Sequence, residues 1–360
     1  MSGIRIVHTA RSPYAWGMNR LVLPSLLLAA CASDPGAPTT QTDSGAPPPD
    51  GSVNPADTST AGDANTVVTS ETWQDGKMIT TSVVIPAGIT VTIAKGAKIA
   101  CSANVSITVL GTLTASSASP THAKLMGTKW IGIIAKGKGT VTLDGVDITG
   151  ATVAAIEDGS TTPAIYDNGT IDKSGSAFGV TLGAALSTHH AIVTAPNNYI
   201  RVEGSFTASY LDYDANGIYC VYTDNLAAKV SIEDSKFHGG ASGDPDLLNS
   251  YGAALFHVAY TDITGAHCGF HFQSVDVLEV DHVTVHGVTN GADLWGSSKS
   301  GAHTITNSNF QNLALGFDEK GSNGPIDVVG CYLGGGNNLT TSAVTISKPA
   351  SMPIANAGPR

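Results

Sequence analysis

Three tetrads in the second half of the 360-residue chain carry side chains able to move protons or hold a cation. They are Gly269-Phe270-His271-Phe272, Gly291-Ala292-Asp293-Leu294 and Gly316-Phe317-Asp318-Glu319. The spacing suggests complete coils between them. On that reading His271, Asp293 and Asp318 occupy one outward column on successive rungs, and Lys320 shares their side by alternation. Two carboxylates about one rung apart can raise one pKa, which sets an acid beside a base. They can also hold a hard cation such as Ca²⁺. Lys320 is the nearby candidate for a proton-abstracting base. The plainer reading is equally physical: outward positions on a solenoid are polar by necessity, so the column is solvated surface.

The tetrads sit inside a longer repeat: an apolar residue, any residue, an apolar residue, four more, then a third apolar residue. Its instances are Phe206/Ala208/Tyr213, Val230/Ile232/Phe237, Phe256/Val258/Ile263, Leu278/Val280/Val285, His303/Ile305/Phe310 and Ile326/Val328/Leu333. The starts lie 24, 26, 22, 25 and 23 residues apart, although Ala208 and His303 fill apolar slots poorly. A period in the low twenties with alternating apolar pairs means stacked β coils, an all-β parallel β-helix. In each tetrad the glycine is expected to make the turn, the next residue to point in and the next to point out. Phe270, Ala292 and Phe317 should then pile in one interior row. An earlier coil, Gly217-Ile218-Tyr219-Cys220, places Tyr219 in or near the outward column. The position eight after each phrase start gives a second outward set, His238, Thr264, His286 and Gln311. Residues 150–205 break the period. There Ala154, Ile156, Ile165, Val180 and Leu182 suggest two irregular coils, and 244–250 reads as a loop bulging between Val230 and Phe256.

Order begins near Trp73. The opening alternates in Val84-Ile85-Pro86-Ala87-Gly88-Ile89-Thr90-Val91-Thr92-Ile93, in Ile107-Thr108-Val109-Leu110-Gly111-Thr112-Leu113-Thr114-Ala115 and in Trp130-Ile131-Gly132-Ile133. These stretches resemble the start of right-handed parallel β-helix proteins on bacterial surfaces, of the pectate-lyase-like superfamily. The resemblance covers about residues 72–347. It departs from the pattern at Ala94-Lys95-Gly96, where a Pro-Gly turn is common, and at Ile131, where the family pattern has glycine. That superfamily holds lyases, hydrolases, adhesins and stalks, so it implies a fold and not an activity. Its hydrolases use outward aspartates as acid and base, and its pectate lyases hold Ca²⁺ on carboxylates beside a basic residue. The resemblance therefore implies His271, Asp293, Asp318 and Lys320 as the catalytic face of a polysaccharide lyase or glycoside hydrolase for an acidic glycan. One absence argues the other way. Arg201 is the only arginine between residues 21 and 359, it has no motif around it, and uronate-processing relatives usually carry arginine for carboxylates. Runs of paired aspartates are missing. Asp212 and Asp214 alternate and could share a face, but each suits a turn equally well.

The net charge is −11. Residues 1–30 hold Arg5, Arg11 and Arg20 and no acid, so the remainder has 15 basic side chains against 29 acidic, or −14. That balance argues against a nucleic-acid partner, which needs clustered Lys and Arg. Arg20 followed by Leu21–Ala30 reads as a signal peptide too short to span a bilayer, with translation starting at Met18. Leu28-Ala29-Ala30-Cys31 resembles the bacterial lipobox, which implies cleavage before Cys31 and acyl chains on that residue. By the same resemblance Ala32 and Ser33 are not an inner-membrane retention signal, which implies the outer membrane or cell surface as the expected location. An ordinary signal peptide is the alternative. Residues 31–66 are poor in large apolar side chains and read as a disordered tether, 67–347 as the β-helix and 348–360 as a tail.

The histidines make no zinc motif: His267 and His271 are four apart, but across a turn rather than on a helix. Cys101, Cys220, Cys268 and Cys331 occupy different offsets of the phrase and are expected as buried single thiols. No Ser-His-Asp elbow, phosphate loop or dinucleotide fingerprint occurs. The lipobox, tether, low charge density and missing arginines favour a surface binding or structural role, with glycan contact, over catalysis. No cofactor is expected, apart from Ca²⁺ under the lyase alternative.

Overall fold

The computed structural model describes residues 65–116, 121–240, 245–295, 303–311, 315–320, 326–334 and 344–360, and Cys31 and the lipobox lie outside them. Among the described residues every regular element is a strand, from Asn65–Thr66 to Val344–Ser347. Every third strand returns to the same sheet, which gives three parallel sheets of 12, 13 and 12 strands. Each coil thus contributes one strand to each sheet, and the chain is a parallel β-helix. No helix among the described residues is long and apolar enough to cross a membrane.

The repeat phrase maps onto this architecture position by position. Its first residue forms the row Phe206–Val230–Phe256–Leu278–His303–Ile326 in the second sheet. Its third residue forms Tyr213–Phe237–Ile263–Val285–Phe310–Leu333 in the third sheet. Ala208 is buried in the core like its larger neighbours. In the first sheet Phe270, Ala292 and Phe317 do share one row. Each fully buried Val, Ile or Phe in such rows contributes about 1.5–3 kcal/mol, shared between neighbouring coils.

The four-residue gap in the phrase contains the corner between the second and third sheets. One residue per coil there adopts positive φ, as in Tyr210, Asp234, Tyr260, His282 and Asn307. A small polar residue often follows and caps the turn: the hydroxyls of Ser235, Thr261 and Ser308 donate to the carbonyls of Glu233, Ala259 and Thr306. The final residues pack back along this corner. Gly358 N–H donates to the His282 carbonyl, and the Arg360 guanidinium donates twice to Asp234 and covers the Tyr260 ring at 3.8 Å.

Three expectations are corrected. Residues 150–205 are regular coils in register with the rest, through Ala154–Ser160, Ser176–Val180 and Ile200–Val202. Their period shortens to 20 residues between Leu186 and Phe206, and Ala164 and Tyr166 fill the inward slots while Ile165 and Leu182 do not. The region read as a bulging loop is the strand Asp246–Gly252, although Asp244 lies outside the described residues. Gly269 and Gly291 are inside strands rather than turns. A side chain at Gly269 would put its Cβ 2.8 Å from Val285 Cγ1 and 2.9 Å from the Gly291 carbonyl oxygen, so close approach explains that glycine.

Candidate functional site

The outward column is real and longer than the tetrads indicate. Register on the first sheet runs Arg201–Tyr222–Asn249–His271–Asp293–Asp318. His271, Asp293 and Asp318 are therefore successive rungs. Lys320 is two residues beyond, opposite Trp295, which is itself opposite Gln273. Tyr222 holds the place expected for Tyr219, because the strand begins at Val221, after Cys220. Arg201, which the broken period left without a context, stands in this column one rung after Gly179.

The column differs from the expectation in its burial. Asn249, His271 and Asp293 are all buried, and Asp293 has no exposed surface. They are not solvated positions. By contrast, the second expected set does form one column, Asp214–His238–Thr264–His286–Gln311, and His238 is exposed. Asp212 and Asp214 flank the buried Tyr213 and are both exposed, so they share an outer face.

The polar centre of the first sheet is Asp246. His271 Nδ1 lies 2.9 Å from its Oδ2, and His267 Nδ1 lies 3.5 Å from its Oδ1. Burial pushes the Asp246 carboxyl up, but hydrogen bonds from His267 and His271 outweigh it and bring the pKa down to about 2. Cys268 is the register partner of Asp246, and its Sγ lies 3.7 Å from His267 Nδ1. Gln273 Nε2 lies 3.3 Å from His271 Nε2. The expectation that His267 and His271 lack a metal-binding relation rested on their own spacing. Asp246, one coil upstream, is what draws them together.

Beside this centre runs a patch of tyrosines. Tyr199 packs on Tyr222 at 4.9 Å and on Tyr219 at 5.8 Å, Tyr222 on Tyr251 at 5.9 Å, and Tyr251 on His271 at 5.6 Å. Tyr251 is 40% exposed and Tyr199 and Tyr219 are half-buried. Arg201 borders the patch with its guanidinium 2.8 Å from Glu203 and 3.9 Å from Asp224. Burial pushes the Tyr222 phenol up, with Asp224 adding to it. Cys101, Cys220, Cys268 and Cys331 are free and buried, as expected.

Sequence reasoning missed Asp246, Asn249, Tyr222 and the place of Arg201. A signal for two of them was present. The 22-residue step from His271 to Asp293 also leads back from His271 to Asn249 and from Cys268 to Asp246. No family model, no curated protein and no solved structure matches the chain, so the fold and this geometry stand by themselves.

Proposed function

We propose that this chain is a lipid-anchored surface β-helix that holds a glycan without cleaving it. The observation that carries this reading is the connected tyrosine patch, Tyr199, Tyr219, Tyr222 and Tyr251, spread over successive coils beside Arg201. Aromatic rings that are apolar in body and polar at the tip suit sugars, which offer C–H faces and hydroxyls together. The paired Arg201 supplies a cation for an acidic sugar once its carboxylate partners yield it. The burial of His271 and Asp293 supports binding over turnover, because a polymer cannot reach a carboxylate without exposed surface. Anchoring rests on Leu28-Ala29-Ala30-Cys31 and the polar stretch after it, which would give the domain reach from an outer membrane. Kinship with the pectate-lyase-like superfamily is part of the same proposal.

The test is retention of the purified chain on beads carrying acidic polysaccharides, with and without Ca²⁺. Binding should weaken at least about tenfold in Tyr251→Ala, the most exposed ring of the patch, as expected for a central aromatic contact. Reducing or unsaturated ends that accumulate with wild type and vanish in Asp293→Ala and Asp318→Ala would replace this reading with a lyase or hydrolase using His271, Asp293, Asp318 and Lys320. For the anchor, Cys31→Ser should move the protein from the membrane fraction to the soluble fraction.

A further inference from the structure

We infer that Asp246, His267, Cys268 and His271 form a binding site for one zinc ion. The four come from two adjacent coils. Asp246 opens the strand Asp246–Gly252, and Cys268 opens the next strand of the same sheet directly opposite it. His267 precedes Cys268 in the chain and His271 follows three residues later. One ligand atom each from Asp246, His267 and Cys268 lies within 4.8 Å of the others. His271 stands outside that group of three and meets the carboxylate's other oxygen, Oδ2, at 2.9 Å.

The distances among Asp246, His267 and Cys268 fit three corners of a tetrahedron. Zinc bonds of about 2.0–2.1 Å to nitrogen or oxygen and about 2.3 Å to sulfur place ligand atoms roughly 3.3–3.6 Å apart. His267 Nδ1 to Asp246 Oδ1 is 3.5 Å and Cys268 Sγ to His267 Nδ1 is 3.7 Å. His271 Nδ1 approaches the other carboxylate oxygen, Oδ2, at 2.9 Å and has to turn toward the ion to fill the fourth corner. The donor types select the ion. A thiolate and two imidazoles suit a borderline-soft cation and are wrong for Ca²⁺ or Mg²⁺, which take oxygen. Charge also balances: Zn²⁺ with an ionised Asp246, a thiolate at Cys268 and two neutral imidazoles is neutral, as a site this buried requires. Binding releases the Cys268 proton to solvent.

The surroundings are built for the same purpose. Asn290 Nδ2 donates to Cys268 Sγ at 3.5 Å, a contact that steadies a thiolate. The Gln273 amide nitrogen lies 3.3 Å from Nε2 of His271, and zinc on Nδ1 requires the ring proton on Nε2, with the Gln273 amide turned so that its oxygen accepts it. The site does not depend on the glycan reading: its four ligands are not among the tyrosines, although Tyr251 packs on His271 at 5.6 Å.

The experiment uses the full-length chain, stripped with a chelator and dialysed against zinc chloride or cobalt chloride. One tightly held equivalent of zinc is expected. The cobalt form should show tetrahedral visible bands and a near-ultraviolet thiolate-to-cobalt band. Cys268→Ser should abolish the charge-transfer band, and His267→Ala and Asp246→Asn should each weaken zinc at least about tenfold, the loss seen even for outer-shell partners. Less than a tenth of an equivalent retained by wild type would overturn the site. A charge-transfer band that survives Cys268→Ser would also overturn it, by moving the metal to another cysteine. Should Cys268→Ser lose its thermal unfolding transition, the cobalt spectrum of His267→Ala decides: unchanged bands overturn the site and altered bands support it.

Discussion

Two histidine–aspartate pairs in this solenoid share a geometry and differ in everything around it. His238 Nδ1 lies 3.0 Å from Asp214 Oδ1, with side chains 53% and 59% exposed. His271 Nδ1 lies 2.9 Å from Asp246 Oδ2, with side chains 6% and 14% exposed. Each pair joins neighbouring coils. The exposed pair sits on three-residue strands whose only buried residue is the central one, Tyr213 or Phe237. The buried pair sits on strands of seven and six residues that are closed to water on both faces over most of their length. Water screens the first pair and leaves it worth at most about 1 kcal/mol. The second pair is also tied to His267 and Cys268, so removing one member strands the others. A histidine beside an aspartate is therefore a solvated pair on one sheet and part of a coupled buried cluster on another.

The largest test of that contrast removes each aspartate. Asp246→Ala should cost about 3–5 kcal/mol, the usual result of breaking a buried polar group away from its partners. Asp214→Ala should cost less than about 1 kcal/mol. Urea unfolding midpoints at neutral pH, in chelator, compare the two directly. Equal shifts would abolish the distinction between the pairs.

Acid gives the next largest effect and carries a sign. The folded Asp246 carboxyl titrates at about 2, below its ordinary 3.8. Its contribution is complete above about pH 4 and is lost as pH falls toward 2, a loss of about 2 kcal/mol by linkage. Asp158 runs the other way. It is buried, and burial raises its pKa to about 6 despite backbone hydrogen bonds such as that from Ser160 N–H. Stability from Asp158 is complete below pH 4 and falls as pH rises toward 6. Asp246→Asn should flatten the acid limb of a stability–pH profile, and Asp158→Asn should remove the decline between pH 4 and 6. Both limbs unchanged would show that neither carboxyl is shifted by its surroundings.

The same contrast explains what the sequence could tell. Period-two alternation and a step in the low twenties fix which residues face inward, because coil stacking forces Val230, Phe256 and Leu278 into one row. They also fix which outward residues share a column, so His271, Asp293 and Asp318 were legible. Alternation carries no information about what lies over the outer face, so the burial of Asp293 was not. The step also hid two places where coil length departs from the mean. The 20-residue step before Phe206 disguised the coil that carries Arg201. The strand Asp246–Gly252 begins amid proline, glycine and aspartate, and Leu247 and Leu248 are both buried, so its pattern does not alternate. Asp246, the group to which both histidines turn, lay in that blind spot.

The smallest test separates burial from pairing altogether. His303 occupies an inward slot between Leu278 and Ile326, and neither ring nitrogen has a hydrogen-bond partner among the described residues. Burial lowers its pKa from 6.5, with Asp276 pulling weakly the other way. The unfolded chain therefore binds a proton near pH 6.5 that the folded one resists, and stability falls as pH drops through that value. His303→Leu keeps an apolar filler of similar size and removes the unpaired nitrogens. It should stabilise the protein by about 1 kcal/mol at neutral pH and by more at pH 5.5. A histidine that is buried without a carboxylate should thus weaken the fold where His271 strengthens it. If His303→Leu is no more stable than wild type at either pH, burial alone does not set the behaviour of these histidines, and the difference between the two pairs has to be sought in their partners.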